Sequence, residues 1–317
     1  MAIPQESVDA VLEHVFRHFQ SQRSQHPSTD NKPQKPFILG LSGMQGSGKS
    51  TWAQSLANTL RTSHDLKVVV LSLDDLYHTH ENLVKIREGN EGNELFRNRD
   101  QPGTHDELLA EKFFGEVLEG REFKVPRFEK SLFNGEGDRA PEAEWEVVVG
   151  QPAVDVLIFE GWCVGFQALD DDKLEEKWKA ARQVKMNNIS EEEKRTRMLR
   201  THALEHVRVI NENLRRYNET FMGPECFDYM VHLDTDALGN VYKWRIQQEE
   251  ALSSARETGM SDEQVVDFVK VYMPAYELYL DRLRREAFPR PDSQKVSKTQ
   301  LRVVLDERRR VVGAEEI

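Results

Sequence analysis

The stretch Phe37-Ile38-Leu39-Gly40-Leu41-Ser42-Gly43-Met44-Gln45-Gly46-Ser47-Gly48-Lys49-Ser50-Thr51 decides how the rest of the chain is read. Phe37–Leu41 is a short apolar run of the kind buried in a parallel sheet. Residues 43–50 then fit the pattern G-x-x-x-x-G-K-[ST] without a mismatch. From Lys49 to about Arg61 the residues favour a helix. Strand, glycine-rich turn and helix stand in the order that phosphate binding requires. Glycines let successive backbone N–H groups point inward as an anion nest with no Cβ in the way. The helix N-terminus adds partial positive charge.

On this reading the loop formed by Gly43, Gln45, Gly46, Ser47 and Gly48 cradles the phosphates of ATP. Lys49 reaches the β- and γ-phosphates, Ser50 offers its hydroxyl to Mg²⁺, and Thr51 bonds the α-phosphate. A merely structural glycine turn is the alternative. It accounts for neither the exact match nor the flanking strand and helix.

Outward from this loop, strands and helices alternate. Lys67–Leu73 and Val154–Phe159 read as further buried strands, with Tyr229–Leu233 and a last strand at Leu301–Leu305. Helical patterns cover Asp106–Leu118, Leu204–Tyr217, Val241–Arg256 and Tyr276–Glu286. Ser261, after Gly259-Met260, is a candidate N-cap for a helix over Asp262–Lys270. Phe123–Phe128 and Trp145–Val149 pair as strands around the polar segment Asn134–Pro141. Asp170–Arg200 is highly charged and poor in apolar anchors, which predicts surface helix or an insertion. The expected fold is α/β, a P-loop NTPase fold with a parallel sheet flanked by helices, a lid and a small hairpin insertion. Val8, Leu12, Val15, Phe16 and Phe19 recur at helical spacing, and the proline-containing segment Ser24–Pro36 reads as a linker. The division is therefore an N-terminal helix and linker over 1–36 and a P-loop domain over 37–317 that carries the charged insertion.

Composition narrows the function. Among 317 residues, 43 are basic and 55 acidic, for a net charge of −12. Such a chain is a poor general binder of nucleic acid, which demands a basic surface. No apolar run approaches the roughly 20 residues of a membrane helix. The two cysteines, Cys163 and Cys226, have no metal spacing and predict a reducing compartment. Glu6, Asp9 and Glu13 and the lack of an apolar core at the N-terminus argue against a secretory or transit peptide. The expectation is a cytoplasmic protein, with a nuclear pool left open.

Two carboxylates stand directly after the second strand, in Ser72-Leu73-Asp74-Asp75-Leu76-Tyr77. Ligands of open parallel sheets lie at the carboxyl ends of strands. A carboxylate there can orient an acceptor hydroxyl and take its proton. The alternative is that Asp74 or Asp75 caps the next helix. Asp155-Val156-Leu157-Ile158-Phe159-Glu160-Gly161 ends a strand in an acid, and Glu160 is the candidate Mg²⁺ ligand beside Ser50. Neither Asp-x-x-Gly after that strand nor Asn-Lys-x-Asp is present, which argues against a GTPase switch.

The order of these elements resembles the uridine kinase, phosphoribulokinase and pantothenate kinase superfamily. It resembles more closely the D-glycerate 3-kinases of plants and their fungal relatives. The residues that carry the likeness include Gly103-Thr104-His105-Asp106, Pro126-Arg127-Phe128-Glu129-Lys130-Ser131, Phe159-Glu160-Gly161-Trp162, Tyr242-Lys243-Trp244-Arg245 and Tyr272-Met273-Pro274-Ala275-Tyr276. The resemblance implies ATP as donor, Mg²⁺, and a small hydroxylated acceptor. It implies Asp74 as general base with Lys49 and Arg245 as catalytic cations, Arg245 on a lid. It implies Asp75, Tyr77, Asp100, His105, Arg127 and Lys130 around the acceptor. A carboxylate such as glycerate's needs fixed positive partners, and Arg127 and Lys130 would supply them. This chain has Arg99-Asp100 where the glycerate kinases tend to have Arg-Gly, and the uridine kinases use an aspartate near this position for ribose hydroxyls. The expected activity is transfer of phosphate from ATP to the 3-hydroxyl of D-glycerate. The alternatives are a nucleoside or sugar-like alcohol as acceptor, or an ATP-binding regulatory protein, its protein partners unknown, without a metabolite substrate.

Overall fold

The computed structural model describes residues 3–25, 34–256, 260–285 and 299–317. Most of the expected linker, Gly259 and Glu286 lie outside the described residues. In chain order the elements are α1 (Gln5–Gln25), β1 (Phe37–Gly43), α2 (Lys49–His64), β2 (Val68–Ser72), α3 (His80–Gly89), α4 (Glu107–Leu118), β3 (Phe123–Val125), β4 (Phe128–Glu129), β5 (Asp138–Arg139), β6 (Glu146–Val148) and β7 (Val156–Gly161). The rest are α5 (Asp171–Gln183), α6 (Glu191–Thr196), α7 (Leu204–Thr220), β8 (Tyr229–Thr235), α8 (Asn240–Arg256), α9 (Asp262–Lys270), α10 (Met273–Arg285), β9 (Gln300–Leu305) and β10 (Val311–Glu316).

Six strands form the main sheet in the order β10-β9-β8-β1-β7-β2. All neighbours pair in parallel except β10, which returns antiparallel on β9. Every residue of β1 and β7 is buried, as a strand covered on both faces requires. Register sets the site: Leu41 of β1 and Ser72 of β2 both lie opposite Glu160 of β7, so the three strands end level with one another. The turns that follow β1 and β2 therefore meet at one edge of the sheet.

Helices cover the sheet through aromatic and aliphatic contacts. α2 packs on β1, β2 and β7 through Trp52, Ala53, Leu56 and Leu60. Phe114 of α4 meets Phe159 of β7 edge-on at 5.2 Å. The N-terminal helix joins the same core: Val8, Val11, Leu12, Val15 and Phe19 are buried, and Phe19 packs edge-on against Phe37 at 5.9 Å.

Most expected elements form close to their expected bounds, with several differences: helix α3 has no counterpart among the sequence expectations, and the run Phe123–Phe128 splits into β3 and β4, with β5 inside the segment expected to be a polar connection. Leu301–Leu305 is not the last strand, because β10 follows it through a turn at Asp306–Arg310. Gly313 and alternating exposure give β10 the weak pattern of an edge strand. Helix α10 begins a turn earlier than expected, at Met273, with Pro274 in its first turn, where a missing N–H costs nothing. Ser261 does cap α9, in a reciprocal pair with Gln264. The charged segment folds as α5 and α6, docked by buried Leu174 and Leu199. The Nε1–H of Trp178 donates to the His202 carbonyl at 2.9 Å, and the Leu199 N–H donates to Glu277 at 2.6 Å. The hairpin insertion is two small two-stranded ladders, β3 with β6 and β4 with β5. No helix among the described residues is long and apolar enough to cross a membrane.

Candidate active site

The loop after β1 is held from outside so that its inner face stays open. Gly48 takes φ 91° at the N-cap of α2, and no side chain caps that helix. Its first N–H groups are left for an anion. Gly46, at φ 76°, admits no side chain: a Cβ there would lie 2.8 Å from the Trp244 Cβ. The Gln45 N–H donates to the Tyr276 hydroxyl at 3.0 Å. Arg309, in the β9–β10 turn, donates to the carbonyls of Gly46 and Trp244, each at 2.6 Å, and to Gln247 at 2.7 Å. Lys49 lies half-buried beside the loop with its Nζ 3.4 Å from the Met44 carbonyl. Burial lowers its pKa, and the charges of Glu160 and Asp74 oppose that shift.

Ser50 and Glu160 meet at 2.7 Å, hydroxyl to carboxylate. These are hard oxygen donors of the kind Mg²⁺ accepts when substrate phosphates and water complete its shell. Among the described residues no group of three or more His, Cys, Asp or Glu side chains could hold a metal by itself. A cation here would take the rest of its shell from ligand phosphates or water.

Asp74 sits in the single helical turn Leu73–Leu76 that follows β2, with its N–H bonded to the Ser72 hydroxyl at 3.3 Å. Its Oδ2 receives the Lys130 ammonium at 2.5 Å and its Oδ1 the Tyr77 hydroxyl at 3.1 Å. Burial by itself would raise the Asp74 pKa. The charge and hydrogen bond of Lys130, with Lys49 behind, outweigh burial and hold the carboxyl well below the ordinary range.

The other predicted residues divide into those the fold gathers at Asp74 and those it turns elsewhere. Tyr77 also lies 3.3 Å from Asp100. Its one proton serves either carboxylate, not both at once. Tyr77 stacks on His105 at 4.4 Å. His105 shares its Nδ1 with the Tyr217 hydroxyl at 3.0 Å, and burial pushes its pKa down to about 3, so the ring is neutral. Asp100 is buried at φ 132°, a conformation that favours glycine, and burial raises its pKa to about 6. Trp162 donates to its carbonyl at 3.0 Å. Asp75 accepts the Phe128 N–H at 3.1 Å and so anchors the hairpin, and burial lifts its pKa to about 6. Asp106 caps α4 by accepting from the Leu109 N–H at 3.1 Å, and Arg139 binds its other oxygen at 2.9 Å.

Arg127 and Arg245 do not reach this cluster. Arg127 is 58% exposed and pairs with Glu129. Arg245 pairs with Glu249 at 2.8 Å and lies 5.1 Å over the Phe268 ring, facing α9. Arg99, Tyr276, Tyr217 and Arg309 were not singled out individually by sequence reasoning. Arg99 lies over the Phe128 ring at 5.4 Å and donates to the carbonyls of Gly135 and Glu136, fastening the hairpin over the site. Tyr276 stands in a quoted motif and could have been found there, whereas Arg309 is one of three adjacent arginines with nothing local to mark it.

A nucleotide phosphate cradle, a strand-end acid beside its serine, and a second strand-end carboxylate held between a lysine and a tyrosine together define an ATP-dependent kinase of the P-loop class. Comparison with known proteins agrees. The chain is 36% identical over 281 residues to an uncharacterized kinase of Schizosaccharomyces pombe, mug58, covering 88% of this chain and 91% of the relative. It is 32% identical over 307 residues to the chloroplastic D-glycerate 3-kinase of Arabidopsis thaliana, covering 95% of this chain and 59% of that longer one. The solved structure of D-glycerate 3-kinase from Cryptococcus neoformans superposes with a TM-score of 0.81 at 30% identity, covering 98% of this chain and 99% of that one. No family model matches the chain. The chain belongs to the D-glycerate 3-kinase family and is an ATP-dependent phosphotransferase.

Proposed function

We propose that this kinase transfers the γ-phosphoryl group of ATP to the 3-hydroxyl of D-glycerate, and that it does so in the cytoplasm. The observation that carries the reading is the Asp74–Lys130 pair next to Lys49: a base for a hydroxyl with a cation at hand for a carboxylate. The loop amides and Lys49 bind and orient the phosphates. Asp74 orients the acceptor hydroxyl for in-line attack and takes its proton as the bond to phosphorus forms. Ser50 and Glu160 would hold Mg²⁺, which when bound neutralises phosphate charge. Arg245 would need to turn from Glu249 to reach the transferred group, and Arg127 from Glu129 to reach the acceptor.

A second acceptor class, a nucleoside or sugar-like alcohol, is favoured by one observation. Asp100 places a buried carboxylate within reach of Tyr77, where it would repel an acid and bind hydroxyls. A panel of D-glycerate, uridine, pantothenate and ribulose 5-phosphate, read by coupled ADP release, separates the two. The base assignment is tested in the same assay: Asp74→Asn should abolish transfer and leave ATP binding close to normal. Turnover unchanged in that variant would remove Asp74 from its role.

A further inference from the structure

We propose that Lys130 is a charge-exchange switch between base and acceptor: its ammonium neutralises Asp74 in the free enzyme, and the carboxylate of an anionic acceptor draws it off and so releases the base. The proposal rests on the acidic-acceptor reading above and adds how that acceptor's charge is sensed.

Both oxygens of Asp74 carry donors, Lys130 on Oδ2 and Tyr77 on Oδ1. A carboxylate bonded to an ammonium is a weak base, because the cation must be pulled back before a proton is worth taking. The Tyr77 bond can yield, since Asp100 offers the same hydroxyl a second acceptor at 3.3 Å. The Lys130 bond yields most readily to another anion.

Lys130 is built to move. Its side chain is 56% exposed, against 25% for Asp74, and it follows a strand of two residues. Neighbouring cations are committed elsewhere. Arg99 holds the hairpin carbonyls, Arg139 holds Asp106 and the Tyr77 carbonyl, and Arg127 holds Glu129. The hairpin itself is pinned on both sides, by Asp75 at the Phe128 N–H and by Arg99 at Gly135 and Glu136. Lys130 can therefore swing from one carboxylate to another without moving its backbone.

The consequence is selection in the chemical step as well as in binding. An acidic acceptor takes Lys130 in exchange for Asp74, one carboxylate partner for another, with little net electrostatic cost. A neutral acceptor leaves Lys130 on Asp74 and meets a muted base, so it loses in kcat as well as in KM.

The experiment compares D-glycerate with its uncharged amide, D-glyceramide, in the full chain and in Lys130→Met and Lys130→Gln, at saturating ATP and Mg²⁺. The unaltered enzyme should prefer the acid. Both variants should lose roughly 10- to 100-fold in kcat/KM for the acid. Their kcat for the amide should rise above that of the unaltered enzyme, because loss of Lys130 frees Asp74, and an amide kcat that does not rise overturns the exchange. The preference for the acid thus collapses, and Lys130→Arg should restore part of it. Retention of the acid preference in the Met and Gln variants, or an equal loss on both acceptors, overturns the exchange while leaving the glycerate reading intact. If the unaltered enzyme ignores D-glycerate but phosphorylates another member of the panel, the acceptor reading fails first and takes the exchange with it.

Discussion

The hydroxyl of Ser50 donates to Oε1 of Glu160 at 2.7 Å, although 110 residues separate the two in the chain. Parallel pairing of β1 with β7 brings them together: Glu160 lies level with Leu41, and the loop after β1 carries Ser50 back over the strand end. Glu160→Gln keeps this hydrogen bond but removes the charge. The expected result is a fall in kcat on the order of 100-fold and a higher Mg²⁺ requirement at fixed ATP. A Mg²⁺ titration of initial rates reads both. An unaltered Mg²⁺ dependence would show that Glu160 does not share in holding the ion.

Arg309 spans two carbonyls and one amide oxygen with a single planar group. Arg309→Met leaves the Gly46 and Trp244 carbonyls without their cation, and the phosphate loop loses an outside brace. The KM for ATP should rise roughly 10-fold, with a smaller change in kcat. Arg309→Lys should recover only part of this, because an ammonium does not match the fork geometry. Steady-state kinetics with ATP varied is the measurement, and a KM equal to that of the unaltered enzyme counts against the brace.

Asp100 combines a backbone conformation suited to glycine with a buried carboxyl whose pKa lies at about 6, above its ordinary 3.8. The sign follows from that direction. Ionising Asp100 is harder in the folded state than in the unfolded chain, so its penalty is absent below pH 3.8, grows as pH rises toward 6, and is complete above it. Asp100→Gly removes the penalty and the strain of about 1 kcal/mol or more, and gives up the Tyr77 contact and some unfolded-state restriction. The glycine variant should gain relative stability between pH 5 and pH 8, by on the order of 1–2 kcal/mol. Urea unfolding at the two pH values checks this, and a difference independent of pH would refute it.

Much of the scaffold, and the positions of the glycine loop and of the strand-end acids, were legible in the chain. The loop from Gly43 to Ser50 is recognisable because its chemistry is backbone chemistry, written in consecutive residues. Glu160 and Asp74 were legible because a buried parallel strand announces itself as an apolar run and its end is where ligands sit. The Ser261 cap was legible for the same local reason. The acceptor half was less so. Lys130 and Arg127 looked equivalent, three residues apart in one segment, yet one meets Asp74 and the other meets Glu129. Asp75 looked like a partner of the acceptor, and nothing local announced that it also accepts the Phe128 N–H of the hairpin.

The sequence by itself determined that this chain folds as a parallel α/β sheet around a nucleotide loop, because strand, turn and helix signals act over a few neighbouring residues. It also placed the acids at the strand ends, since position after a strand decides which edge of the sheet they reach. Only the tertiary structure decided which cation lies on Asp74, which carboxylates share the Tyr77 hydroxyl, and that Tyr276 and Arg309 brace the loop from behind. Those pairings join residues far apart in the chain. Strand register, hairpin attachment and burial select them, and none of these is expressed in the spacing of any one segment.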